Sequence, residues 1–280
     1  MSVAESRTHR IRTTVGPLEV LDNGGDRPVA VLWHSLFVDN RSWSRVQADL
    51  AVDRRLIMIT GPGHGASGDP GRRYSLADCA GAAIEVLDTI GITGPVDWLG
   101  NAWGGHVGIL VAADRPDRCR TLTTVGTPVH AYPRRERPNV YLLLAIHRVV
   151  GPIRFLTGSV VDVLLSPRTR AKDPEAVAIA ADGFREADGA GMRNAVVGIS
   201  LRRPDLTPIL PRIQAPTLFV TGTDHPGWTP EQARTASRFL RQGSVAVLDG
   251  AAYLGPLEAP AECARVVREF WRAEGAAIEA

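Results

Sequence analysis

The stretch Asp97-Trp98-Leu99-Gly100-Asn101-Ala102-Trp103-Gly104-Gly105-His106 decides the fold. Val96–Leu99 is a short apolar run that reads as a buried strand, and Trp103–Ala113 reads as a helix. The link between them is Gly-x-x-x-Gly, too tight a turn for Cβ atoms on either side. Working outward, the same kind of run recurs at Val29–Trp33, Leu56–Ile59, Leu122–Val125, Thr217–Val220 and Val245–Leu248. Helical patterns lie between these strands. Arg41–Ala51 carries Trp43, Val46 and Leu50 on one face. Ser75–Ile90 starts on a capping serine and ends before Gly91. Thr229–Leu240 opens Thr-Pro-Glu, a cap followed by proline at the first helical position. Ala259–Trp271 forms a last helix. Ile11–Val15 and Leu18–Leu21 fit an antiparallel hairpin at the sheet edge. The alternation predicts an α/β fold, a mainly parallel sheet covered on both faces. It fails once. From about Ala131 to Asp205 no strand pattern appears, and Tyr141–Val150, Phe155–Leu165, Pro174–Phe184 and Met192–Ser200 read as helices. An all-helical insertion of this kind predicts a cap over a ligand pocket at the carboxyl ends of the strands.

Composition narrows the partners. The 280 residues are 44% hydrophobic and 22% charged, which argues against disorder and against a coiled coil. The net charge is +2, and Lys172 is the only lysine among 32 basic residues. The arginines are scattered among Asp and Glu, without the basic stripe that a phosphate backbone requires, so a nucleic-acid partner is not expected. Cys79, Cys119 and Cys263 lie far apart, with no Cys-x-x-Cys and no metal-ligand spacing, and read as buried thiols of a reducing compartment. No metal and no cofactor are expected. Met1–Arg12 lacks the apolar core of a signal peptide. The longest apolar run, Val140–Val150, is interrupted by His147 and Arg148 and falls short of the ~18 residues of a membrane span. These features predict a cytoplasmic protein with a small-molecule ligand, no membrane partner, and a homodimer as an open option.

Four further motifs accompany the central turn. They are His34-Ser35-Leu36-Phe37, Gly61-Pro62-Gly63-His64-Gly65-Ala66-Ser67, Thr221-Gly222-Thr223-Asp224-His225-Pro226, and the run from Gly250 to Pro260 around Tyr253. Each follows a predicted strand. In this order the five segments resemble the α/β-hydrolase superfamily over nearly the whole chain. The resemblance implies a sheet of about eight strands, a core of residues 1–130 and 206–280, and a helical cap over 131–205. It places Ala102 at the nucleophile position, His225 at the acid position with Asp224 one residue early as a shifted acid, and Tyr253 at the base position. A methyl group cannot attack a carbonyl, and a phenol with a reference pKa near 10 is no general base at pH 7. The resemblance also implies an oxyanion hole from the backbone N–H groups of Leu36 and Trp103. Ser35, Phe37, Asp39, His130 and Trp228 are expected around the ligand pocket. Asp39 also reads as a helix cap. His34 reads as a structural residue bonding across loops, His64 as a residue at the solvent edge of its turn, and His106 as a packed residue.

Three functions remain open on this reading. The first is a binding protein lacking the triad, holding a small apolar or carbonyl-containing ligand. The second is a lyase, cyclase or isomerase using the oxyanion hole with Tyr253, His130 or His225 as proton carrier. The third is an ester or C–C hydrolase represented by an inactive variant.

Overall fold

The computed structural model describes residues 7–279, with side chains to residue 275. The absence of an apolar leader was read on residues 1–12, and the first six of those lie outside the described residues. Eight strands form one sheet in the order β1-β2-β4-β3-β5-β6-β7-β8. They are β1 (Arg7–Thr13), β2 (Gly16–Asp22), β3 (Val29–Trp33), β4 (Arg55–Ile59), β5 (Val96–Asn101), β6 (Cys119–Val125), β7 (Thr217–Gly222) and β8 (Gly243–Leu248). The β1–β2 hairpin is antiparallel and joins β4 antiparallel, whereas all other pairings are parallel. The strands therefore run as the apolar segments predict, mostly with a longer end. The exception is Val15, which falls in the turn between β1 and β2.

The helices are α1 (Gln47–Leu50), α2 (Leu76–Thr89), α3 (Trp103–Asp114), α4 (Arg137–Val150), α5 (Arg154–Leu164), α6 (Pro167–Lys172), α7 (Pro174–Glu186), α8 (Gly189–Ala195), α9 (Pro230–Ser237), α10 (Gly255–Glu258) and α11 (Pro260–Glu279). Ser75 and Thr229 both close capping boxes, with Asp78 and Gln232 returning the bond. The helix expected over Arg41–Ala51 is instead a 3₁₀ turn, Asn40–Trp43, followed by the short α1. Asp39 caps that turn, so the apolar face reaches the core without a continuous helix. Period 2 sorts each strand between two cores. Val31 and Trp33 pack with α2 and α3, while Ala30 and Leu32 pack with Leu50 and the α11 residues Cys263 and Val267.

Between β6 and β7 the described chain carries α4 to α8 and a π-helical turn, Val196–Leu201, and no strand. The short α6 is an addition to the helices predicted there. No helix among the described residues is long and apolar enough to cross a membrane.

The sheet order reverses at one place. From β3 the chain moves outward to β4, then crosses back so that β5 lies on the other side of β3. The loops leaving β3 and β5 part toward opposite faces and open a crevice at their carboxyl ends, the usual ligand position in such sheets.

Candidate functional site

The crevice is built around the turn from β5 to α3. Ala102 sits at its apex with φ 44° and ψ −97°, a conformation an L-residue adopts only under strain. Its amide donates to the Val125 carbonyl (2.8 Å), while the Asn101 side-chain amide donates to the carbonyls of Val125 (2.9 Å) and Tyr253 (2.8 Å). The glycines are sterically required. A Cβ on Gly104 would lie 1.8 Å from the Trp33 carbonyl oxygen, and one on Gly100 would lie 2.1 Å from the Gly104 carbonyl carbon.

The loop after β3 forms the facing wall. His34 Nδ1–H donates to the Ser35 carbonyl (2.6 Å), so its Nε2 is free to accept the Gly61 amide (2.8 Å). His64 likewise accepts the Phe37 amide at Nε2 (3.2 Å) and holds its Nδ1 proton near the Pro62 carbonyl (3.1 Å). His64 is fully buried against His34 and Trp103, which corrects its expected place at the solvent edge. The Gly-rich turn folds inward, and its imidazole satisfies an amide of the neighbouring loop. Phe37 is held at φ 71°. The Phe37 amide is thus occupied by His64, whereas the Leu36 and Trp103 amides make no hydrogen bond to the described residues.

A cavity of about 300 Å³ opens above this turn. Ser35, Leu36, Phe37, Ala102, Trp103 and Tyr253 line its floor, all of them residues the sequence reading placed there. Its walls come from α4, α5, α7 and α8, with Leu144, Val160, Phe184 and Met192 among them. Further polar residues reach it, among them His106, His147 and Arg203. The reading from sequence missed these as pocket residues. Position 106 is one helical turn after Ala102, on the same face of α3, which is the signal that could have found it. Arg203 follows the π-helical turn and had no signal.

Four expected site residues lie elsewhere. Trp228 is fully buried in the main core against Phe219 (ring centroids 5.9 Å apart), because the loop before α9 turns it under the sheet. His130 packs at a tilt against Trp228 (ring centroids 5.6 Å apart) and does not line the cavity. Asp39 spends its carboxylate on the Arg41 amide (2.9 Å) and guanidinium (2.7 Å), also away from the cavity. Burial alone would raise its carboxyl pKa, but the Arg41 contacts hold it below the ordinary value. Asp224 is exposed and accepts only the Thr223 hydroxyl (3.2 Å), so it does not turn inward as a shifted acid.

His225 is buried and lies against Tyr253, with ring centroids 3.8 Å apart. Its Nδ1 accepts the Gly227 amide (3.1 Å), which puts the proton on Nε2, 3.4 Å from the Gly126 carbonyl. Burial lowers its pKa to about 4 and raises that of the Tyr253 phenol to about 12. At neutral pH both rings are uncharged. His64 is held neutral in the same way, with burial lowering its pKa to about 3.

A pH dependence of stability follows. Unfolded histidine titrates near pH 6.5. Near pH 5 these histidines bind a proton only when the chain unfolds, so stability is complete above about pH 6.5 and declines as pH falls. His225 alone contributes on the order of 1 to 2 kcal/mol of this loss between pH 7 and 5. Asp173, lowered to about 2 by its hydrogen bonds to Arg45, adds in the same direction only at lower pH. Thermal midpoints measured from pH 7 to 5 should fall, and His225→Gln should flatten the profile. An unchanged slope in a folded His225→Gln would remove His225 as a contributor.

Sequence comparison places the chain in the α/β hydrolase family, whose signature matches residues 30–266. The chain is a member of that family. A protein named as the magnesium-chelatase 30 kDa subunit of Rhodobacter capsulatus is 26% identical over 268 residues, covering 87% of this chain and 88% of that protein. Among solved structures, an enol-lactonase from Burkholderia xenovorans superposes with a TM-score of 0.83 at 25% identity, covering 91% of this chain and 96% of that one. A thermophilic esterase from Thermogutta terrifontis superposes with a TM-score of 0.86 at 24% identity, covering 97% and 99%. The likeness to the esterase speaks to the fold alone.

Proposed function

We propose that this chain is a hydrolase-fold protein without triad hydrolysis, which binds a small apolar or carbonyl-containing ligand beneath a cap formed by residues 131–205. The observation that carries the reading is the apex. The turn is kept in its strained form with Ala102 at its tip, and no hydroxyl lining the cavity hydrogen-bonds a histidine among the described residues. The position expected to carry the base holds Tyr253, whose phenol is far from ionised at neutral pH. His225 is neutral and its acceptor nitrogen is occupied by an amide. The amides of Leu36, in the loop after β3, and of Trp103, at the head of α3, make no hydrogen bond to the described residues and suit a ligand carbonyl or carboxylate oxygen. The apolar walls suit the rest of such a molecule. The hydrolytic names of the relatives carry less weight than the site, because chemistry follows side chains rather than fold.

One observation favours a second reading, an enzyme of non-triad type. His106 donates from Nε2 to the Pro128 carbonyl (2.8 Å), which leaves Nδ1 as a buried acceptor without a partner beside the cavity. That nitrogen stands where a ligand proton is passed, as an acceptor only in transit, because burial holds the imidazole well toward its neutral form.

Calorimetric titration with octan-1-ol tests the binding reading. Saturable binding that Val160→Trp abolishes, in a variant with wild-type circular dichroism, is the expected result. Absence of binding by the wild type would reject it.

A further inference from the structure

One charged residue lines the cavity, Arg203, and among the described residues only Asp205, at longer range than an ion pair, acts on its charge. Arg203 is 6% exposed, yet no carboxylate lies within ion-pair distance of it among the described residues. The other buried arginine differs: Arg118, at 5% exposed, pairs with Asp88 (2.7 Å), and even the half-buried Arg54 and Arg120 share Asp97. Arg203 makes a single hydrogen bond, from Nη1 to the Pro128 carbonyl (2.7 Å). Its Nε is buried without a partner, and Nη2 makes no hydrogen bond to the described residues. Asp205, two residues on, turns its exposed carboxylate to the Thr207 amide (2.8 Å) instead. Burial lowers the pKa of Arg203 to about 10, so the group stays protonated at neutral pH. A buried, unpaired guanidinium is heavily penalised unless something supplies the counter-charge.

We propose that Arg203 is the anchor for the carboxylate of an amphipathic monocarboxylic acid, whose apolar body fills the cavity beneath α4, α5, α7 and α8. This rests on the ligand-binding reading of the same site and names the class of ligand. A guanidinium offers parallel N–H donors that match a carboxylate. The charge count selects a monoanion, because Arg203 is the one charged residue lining the cavity and the lining histidines, His106 and His147, are pushed toward their neutral forms by burial. A phosphate dianion would remain half uncompensated. The volume of about 300 Å³ lies at the small end of ligand pockets and suits a medium-chain or arylalkanoic acid.

Octanoate and octan-1-ol differ at the head group and share the apolar chain. Titration calorimetry of the wild type should show octanoate binding at least about tenfold tighter than octan-1-ol, the scale of a charge-assisted pair. Arg203→Gln should abolish that preference and leave octan-1-ol affinity within about threefold, whereas Arg203→Lys should retain part of it. Equal binding of the two ligands by the wild type, or a preference that survives in Arg203→Gln, would overturn the carboxylate anchor and leave the apolar-ligand reading intact. Failure of both ligands to bind the wild type would overturn both. If Arg203→Gln does not fold by circular dichroism, the wild-type comparison decides alone.

Discussion

Purified wild-type protein is expected to hydrolyse a short p-nitrophenyl ester no faster than an oxyanion-hole background, and three substitutions together should raise that rate by about 10²-fold or more. The background itself is finite. Hydrolytic sites stripped of their triad retain about 10³–10⁴-fold over water from donors and binding alone. Ala102→Ser by itself should change little. The new hydroxyl would stand at the strained apex, but the groups at the base and acid positions are a phenol with a pKa of about 12 and an imidazole already accepting the Gly227 amide, and burial holds the His106 imidazole well below its ordinary basicity. Adding Tyr253→His supplies a base on the loop that Asn101 already ties to the turn through the Tyr253 carbonyl. Adding His225→Asp replaces the stacked ring, 3.8 Å from position 253, with a carboxylate able to hold the imidazole tautomer. The gain should appear mainly at the second substitution, because nucleophile and base act as a unit. Wild-type turnover equal to that of the triple variant would mean that another nucleophile is present, and Ser35, which lines the cavity, would be examined first. A folded triple variant with no gain would mean that the cavity is not shaped for acyl transfer.

The largest expected loss of stability lies behind the site. Asp97 is fully buried in β5 and accepts from Arg54, from Arg120 Nη2 (2.6 Å) and from the Thr121 hydroxyl (2.8 Å). These partners come from the start of β4 and from β6, so one carboxylate joins three strands below the turn. Asp97→Ala should cost about 3–5 kcal/mol, because two guanidinium groups lose their counter-charge in a poorly solvated place. The thermal midpoint should fall by about 10 °C, at a few degrees per kcal/mol for a chain of this size. Asp97→Asn keeps the shape and part of the hydrogen bonding and should fall less. A shift below about 2 °C in Asp97→Ala would mean that solvent reaches Arg54 and Arg120 and satisfies them.

The sequence by itself determined the strands, the turn and the side chains that stand at positions 102 and 253. Central strands of a parallel sheet are buried on both faces, so Val29–Trp33 and Thr217–Val220 announce themselves as unbroken apolar runs. The Gly100 and Gly104 spacing is legible because close backbone approach leaves no alternative residue. Ala102 and Tyr253 are read directly, since a methyl group and a phenol have the same reactivity wherever the turn places them. Tertiary structure alone decided which way the loop side chains point. Asp39, His130, Trp228 and Asp224 occupy loops beside the site, yet Arg41, the core around Phe219 and solvent claim them. His64 looked peripheral and is central, because its ring completes the hydrogen bonding of the Phe37 amide. Arg203 lies about a hundred residues from the turn and was invisible as a site residue. Its setting appears only when α4, α5, α7 and α8 close apolar walls around it, with no carboxylate of the described residues in ion-pair reach, an arrangement set by contacts far apart in the chain rather than by any local pattern.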